Sequence, residues 1–123
     1  MSSRITEIVI DCSDANRVAG FWSAVLGWAV QGDEEEGLWM SETGIDDDGS
    51  LALIFQVVPE PKLNKNRLHM DLSPQGCDQS EELERLLGLG ATRADVGQTG
   101  DESWVVLADP EGNEFCLLRG RVS

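Results

Sequence analysis

Few cations, one histidine, scattered cysteines and no long apolar run mark this sequence, and each scarcity removes a class of explanation. No segment is long or apolar enough to cross a membrane. The start, Met1-Ser2-Ser3-Arg4, runs straight into a strand-like pattern with no basic, apolar or cleavable leader, so a cytoplasmic location is expected. Cys12, Cys77 and Cys116 lie far apart and form no CxxC pair, which excludes a disulfide framework or a zinc knuckle and leaves reduced thiols. Nine Lys and Arg stand against 23 Asp and Glu, a formal charge of −14 that repels phosphate backbones and anionic membranes. Neither nucleic acid nor a membrane is expected as a partner. There is no glycine-rich phosphate loop, nucleophile elbow or paired-carboxylate arrangement. His69 is the single histidine, so any imidazole chemistry near neutral pH must be its own.

What is present is enough for one domain over residues 1–123, with 41% apolar and 26% charged residues. Much of the negative charge sits in solvated-looking runs, Asp33-Glu34-Glu35-Glu36, Asp46-Asp47-Asp48 and Glu81-Glu82-Leu83-Glu84. Ile5 to Asp11 alternate in the period of a half-buried strand. Ser13-Asp14-Ala15-Asn16 is a helix N-cap neighbourhood. Val18, Phe21, Trp22, Val25 and Leu26 follow at helical spacing, and Gly27 stops the helix. Trp28–Val30, 37–42 and 51–58 read as three further strands. Pro59 and Pro61 lack amide donors and make 59–66 a connector.

The order then repeats. Leu68, Met70 and Leu72 alternate with His69 and Asp71, a helix runs from about Asp78 to Leu89, and Gly90 closes it. Residues 91–96, 103–108 and 113–119 supply three strands, the last two joined by the turn Asp109-Pro110-Glu111-Gly112. An internal repeat offset by about 62 residues sets Glu7 beside His69 and Gln56 beside Cys116 as equivalents. The expected fold is α+β: two βαβββ modules in tandem, 4–58 and 67–120, forming a cupped, barrel-like mixed sheet with one helix backing each half.

If Ile8, Ile10, Leu53, Phe55, Met70, Leu72, Phe115 and Leu117 pack under the helices, the pleat sends Glu7, Gln56, His69 and Cys116 to the opposite face. Val9, Ile54, Val58 and Leu118 share it, giving a mostly apolar cavity with a few polar groups, the usual composition of a small-molecule site. Trp22 and Trp28 read as core. Trp39 and Trp104 lie on equivalent strands and are candidates to stack on a flat ligand. Glu7 and His69 are the candidate acid/base pair. In the connector, Lys62, Lys65, Asn66 and Arg67 concentrate polar and basic groups. They could attract an anionic ligand, or simply offset acidic neighbours at the surface.

Three stretches, Asp14 to Trp28 (DANRVAGFWSAVLGW), Phe55 to Leu72 (FQVVPEPKLNKNRLHMDL) and Trp104 to Leu118 (WVVLADPEGNEFCLL), resemble the glyoxalase-like branch of the vicinal oxygen chelate superfamily, which includes glyoxalases, bleomycin-resistance proteins and dioxygenases. The resemblance implies that metal-using members carry their ligands at positions matching Glu7, Gln56, His69 and Cys116. Histidine is common at the first of these and a carboxylate at the last, so this chain departs from the usual set at both ends. The four side chains could still hold zinc, but they suit magnesium poorly and lack the second histidine of an iron(II) facial triad.

The sequence therefore favours a metal-independent small-molecule binding protein, with Glu7, Gln56, His69, Cys116, Trp39 and Trp104 around the ligand and no cofactor. The alternative is a metal-dependent lyase, isomerase or dioxygenase with a divalent ion, zinc before others, in the same cavity. Whether a reaction is catalysed is left open by the residues. A homodimer is expected, since relatives often pair and small sheets gain from covered edges.

Overall fold

The computed structural model describes residues 1–122; Ser123, the last residue of the expected domain, lies outside the described residues. The chain forms two compact units that divide after Pro61. The first contains β1 (Glu7–Cys12), α1 (Ala15–Leu26), β2 (Gln31–Asp33), β3 (Gly37–Ser41) and β4 (Ala52–Val57). Its four strands run in the order β1-β4-β3-β2, with β1 parallel to β4 and the other pairs antiparallel.

Helix α1 forms where its caps and stripe agree. The Asp14 carboxylate accepts the Arg17 amide at 3.2 Å, and Val18, Phe21, Trp22 and Val25 make one buried stripe. Gly27 ends it at φ +76°, with its N–H donating to Ser23 O. A side chain there would meet the left-handed penalty of roughly 1 kcal/mol. The stripe lies on β3 and β4. Leu38, Met40, Leu53 and Phe55 are buried, each worth roughly 1.5–3 kcal/mol. Phe21 and Trp22 meet edge to face, centroids 5.2 Å apart.

The strand expected at Trp28–Val30 forms three residues later. β2 pairs Gln31 with Trp39 and Asp33 with Gly37. The Asp33 carboxylate closes the turn by accepting the Glu36 amide at 2.7 Å. A tight turn sets register more firmly than apolar character does, and the apolar trio is left as the approach to the hairpin.

The second unit contains β5 (Asp71–Leu72), α2 (Gln79–Leu89), β6 (Thr92–Arg93), β7 (Val105–Ala108) and β8 (Glu114–Leu117). The strand order β5-β8-β7-β6 repeats that of the first, again with the outer parallel pair. The expected mixed α+β architecture is therefore present, as two four-stranded sheets each with one helix. The outer strands are β1 and β2 in the first sheet and β5 and β6 in the second.

Two strands are shorter than their patterns suggest. Leu68, at the start of the fifth expected strand, is exposed and unpaired in the ladder. The stretch after Arg93 turns into a loop closed by its own side chains: Asp95 accepts the Gly97 amide, and the Gln98 amide group bridges Val96 N and Ala94 O. Helix α2 is capped by Asp78, which accepts the Glu81 amide at 2.9 Å. Leu86 is fully buried, and the nearly buried Glu82 is paired with Arg85 through two bonds of 2.7 and 2.8 Å. Gln79 fixes the helix start to the sheet, its side-chain amide donating to Ser103 O and Leu117 O. Among the described residues no helix is long and apolar enough to cross a membrane.

Candidate functional site

The site begins with a turn. Between β7 and β8 the buried Asp109 accepts the amides of Glu111 (2.9 Å) and Asn113 (3.0 Å) through Oδ1 and the Asn113 side-chain amide (3.0 Å) through Oδ2. Gly112 supplies the positive φ, +88°, that the reversal requires. This hairpin sets Val106 opposite Cys116, and the parallel neighbour β5 sets Asp71 on the other side of Cys116. Asp71, Cys116 and Val106 thus form one row across the sheet, on a single face by the pleat.

His69, two residues before Asp71, projects to the same side, and its Nε2 lies 3.2 Å from Asp71 Oδ1. One donor atom from each of His69, Asp71 and Cys116 lies within 4.8 Å of the others. The two outer groups are exposed, while Cys116 is only 7% exposed. Burial in the sheet, and then the negative Asp71 beside it, push the Cys116 thiol above its ordinary pKa. Lys65 partly offsets this. A thiol so placed keeps its proton at neutral pH and is a poor nucleophile.

Around this row lies a pocket of about 300 Å³, whose apolar wall includes Val96, Trp104, Val106 and Leu118. Such a volume is at the small end for ligand sites and suits a molecule of about one ring. Trp104, 45% exposed, stands just ahead of β7, and the preceding residue is tied down by Gln79. Lys65 and Glu114 complete the rim. Glu114 is not free. Its Oε1 accepts the Asn66 amide at 3.0 Å, and the Lys62 ammonium reaches both carboxylate oxygens at 3.0 Å. Burial pushes the Glu114 carboxyl upward, but the Asn66 amide and Lys62 outweigh it and hold it below its ordinary value.

Of the residues expected around a ligand, the structure brings together His69, Cys116 and Trp104. Glu7, Gln56 and Trp39 lie on the corresponding open face of the first sheet, where Glu7 and Gln56 are exposed and Trp39 is half-buried. The strand registers revise the repeat. Asp11 pairs with Gln56 as Asp71 pairs with Cys116. The amides of Val58 and Leu118 bond to Cys12 O and Leu72 O in the same way. Gln56 and Cys116 are thus equivalent, but the counterpart of His69 is Val9, two residues before Asp11, and not Glu7. Trp39, opposite Ile54, corresponds to Ala108, opposite Glu114, so the two candidate tryptophans do not occupy equivalent positions.

Asp71 was missed as a site residue although the alternation of 68–72 already set it on the face of His69. Lys65 was visible only as one of several connector cations. The connector divides the two roles expected of it: Lys62 and Asn66 anchor to Glu114, and Lys65 faces the pocket.

A family model described as a glyoxalase-like domain matches residues 7–118. No curated protein matches in sequence. Among solved structures, the fosfomycin resistance protein FosX from Listeria monocytogenes is 16% identical with a TM-score of 0.69, over 98% of this chain and 95% of that one. A FosX variant complexed with Mn(II) and dihydroxypropylphosphonic acid is 16% identical at a TM-score of 0.67, over 98% and 92%. Glyoxalase I of Leishmania major is 17% identical at a TM-score of 0.63, over 96% and 87%. At such identities these likenesses speak for the fold, whereas the family match spans nearly the whole sequence. By that match the chain belongs to the glyoxalase-like domain family.

Proposed function

We propose that this protein binds a small molecule on the open face of its second sheet, without a metal, by apolar contact and by stacking on Trp104. The observation that carries this reading is the pocket itself: a half-exposed indole facing Val96, Val106 and Leu118, with the polar groups confined to His69, Asp71, Lys65 and Glu114. That is the make-up of a binding site, in which burial supplies affinity and a few polar groups supply orientation. The His69–Asp71 pair adds an imidazole whose Nε2–H can donate to the carboxylate, leaving Nδ1 for a ligand.

The test is tryptophan quenching by a panel of single-ring aromatic fragments in excess chelator, for wild type, Trp104→Phe and Trp39→Phe. Saturable quenching that disappears only in Trp104→Phe supports the reading. Quenching that disappears only in Trp39→Phe, or binding abolished by chelator, overturns it.

A second reading is favoured by the donor cluster. A nitrogen, an oxygen and a sulfur within 4.8 Å fit the preferences of zinc, and a relative of this fold is complexed with Mn(II). In that reading His69, Asp71 and Cys116 would hold the ion, which would supply Lewis-acid polarisation of a substrate oxygen as in lyases and isomerases of the superfamily. His69 would then exchange its contact with Asp71 for the metal, and the Cys116 thiol would give up its proton. Metal analysis of untagged protein, with melting in chelator and in added zinc for wild type and His69→Ala, separates the two. Stoichiometric metal and a chelator-sensitive melt that depends on His69 would replace the binding-protein reading with this one. We also propose a cytoplasmic homodimer, for which light scattering at micromolar concentration should return twice the mass of the chain.

A further inference from the structure

The polar groups of the pocket differ in how far they are already engaged, and that difference specifies the ligand. Both carboxylates are occupied. Asp71 is approached by His69 Nε2 at 3.2 Å. Glu114 accepts the Asn66 amide and the Lys62 ammonium. Lys65 is the opposite case. Its ammonium has three donors, and among the described residues its hydrogen bond goes to the carbonyl of its neighbour Asn66 at 3.5 Å, with no carboxylate within ion-pair distance. The pocket rim thus has both carboxylates held by neighbouring groups and one ammonium whose donors no carboxylate takes up.

We infer that the molecule taken by this pocket is a flat apolar body of about one ring bearing an oxyanion, with Trp104 against the ring and the Lys65 ammonium on the anion. This rests on the proposed binding function and adds the ligand's chemical class. A carboxylate and a phosphonate are two sources of the same chemistry. With Nε2 of His69 turned to Asp71, the other ring nitrogen is left for a polar group elsewhere on the ligand. The surroundings make the inference easy to expose, because the charge of −14 opposes every anion. A preference for a negative ligand can then come only from groups at the pocket.

The experiment is a matched series on one body: para-nitrobenzoate, para-nitrobenzylphosphonate, para-nitrobenzamide and para-nitrobenzylammonium. Each nitro group quenches tryptophan on contact. The series is titrated at fixed ionic strength into wild type, Lys65→Gln and Trp104→Phe. At least one of the two anions should bind about fivefold more tightly than the amide. Lys65→Gln should remove that preference, bringing the anion and amide affinities together, since an exposed charge-assisted bond contributes on this scale. Which anion is preferred identifies the source. Amide or ammonium binding as tight as the anions, or an anion preference that survives Lys65→Gln, overturns the inference while leaving the pocket reading intact. If no member of the series quenches in a Trp104-dependent way, the pocket reading fails and this inference with it.

Discussion

The two sheets share one topology and one register, yet their open faces differ in chemistry. In the first, the row Asp11–Gln56 lies beside Val9, Ile54 and Trp39. In the second, the matching row Asp71–Cys116 lies beside His69, Glu114 and Ala108. Where one face has Val9 and Ile54, the other has an imidazole and an engaged carboxylate. Where one has the indole of Trp39, the other has a methyl group, with Trp104 moved to the start of the strand. The backbone dictates only where the positions are. Substitutions at three or four of them decide which face carries a polar cluster, so a duplicated fold does not imply duplicated chemistry.

The sharpest contrast is in the turns that hold these faces. Asp109→Ala removes a buried carboxylate that accepts three hydrogen bonds and should cost about 2–3 kcal/mol, lowering the melting temperature by roughly 10 °C. Asp48→Ala, in the exposed turn ahead of β4, should shift it far less although that residue also bonds Thr43 and Ser50. Equal losses would break the comparison. Next in size is ligand affinity: Trp104→Ala should weaken a bound aromatic about tenfold, and Trp39→Ala by about twofold or less, read by calorimetry.

A smaller effect concerns the connector. Glu114 is held below its ordinary pKa of 4.5, so folding favours its ionised form. Its contribution is therefore present above 4.5 and is lost as the pH falls through the lower folded value. Melting temperatures of wild type and Glu114→Gln should differ by about 4 °C at neutral pH, for a contribution of about 1 kcal/mol, and converge on acidification. A gap that widens in acid would contradict the assignment. Smallest of all, Glu7→Ala and Gln56→Ala, both exposed on β1 and β4, should shift the melting temperature by only a degree or so, at about 0.5 kcal/mol or less.

Much of this was legible because local chemistry and global fold agree. Asp14 with Gly27 and Asp78 with Gly90 mark both helices to within a residue, and Asp109-Pro110-Glu111-Gly112 announces its hairpin. Alternation in β1, β4 and β8 assigned the faces correctly. What escaped reading was register. An offset of 62 residues matches Glu7 to His69, whereas ladder pairing, unlike alternation, depends on turn and loop geometry distant in sequence. A slip of two residues preserves the face while changing the partner, so the error left Glu7 on an open face but gave it the wrong counterpart. Asp71 was on the right face throughout. Its role depends on a contact with Cys116 that spans the parallel pair and has no signature along the chain. Lys65 could be told from Lys62 only by which of them Glu114 engages.

The most direct measurement is amide NMR of the isotope-labelled protein titrated with para-nitrobenzoate in excess chelator. The account predicts saturable shifts concentrated at Val96, Trp104 to Val106 and Glu114 to Leu118, together with the Trp104 indole N–H. Shifts concentrated instead at Glu7 to Asp11, Trp39 and Ile54 to Gln56, or seen only once metal is restored, would contradict it.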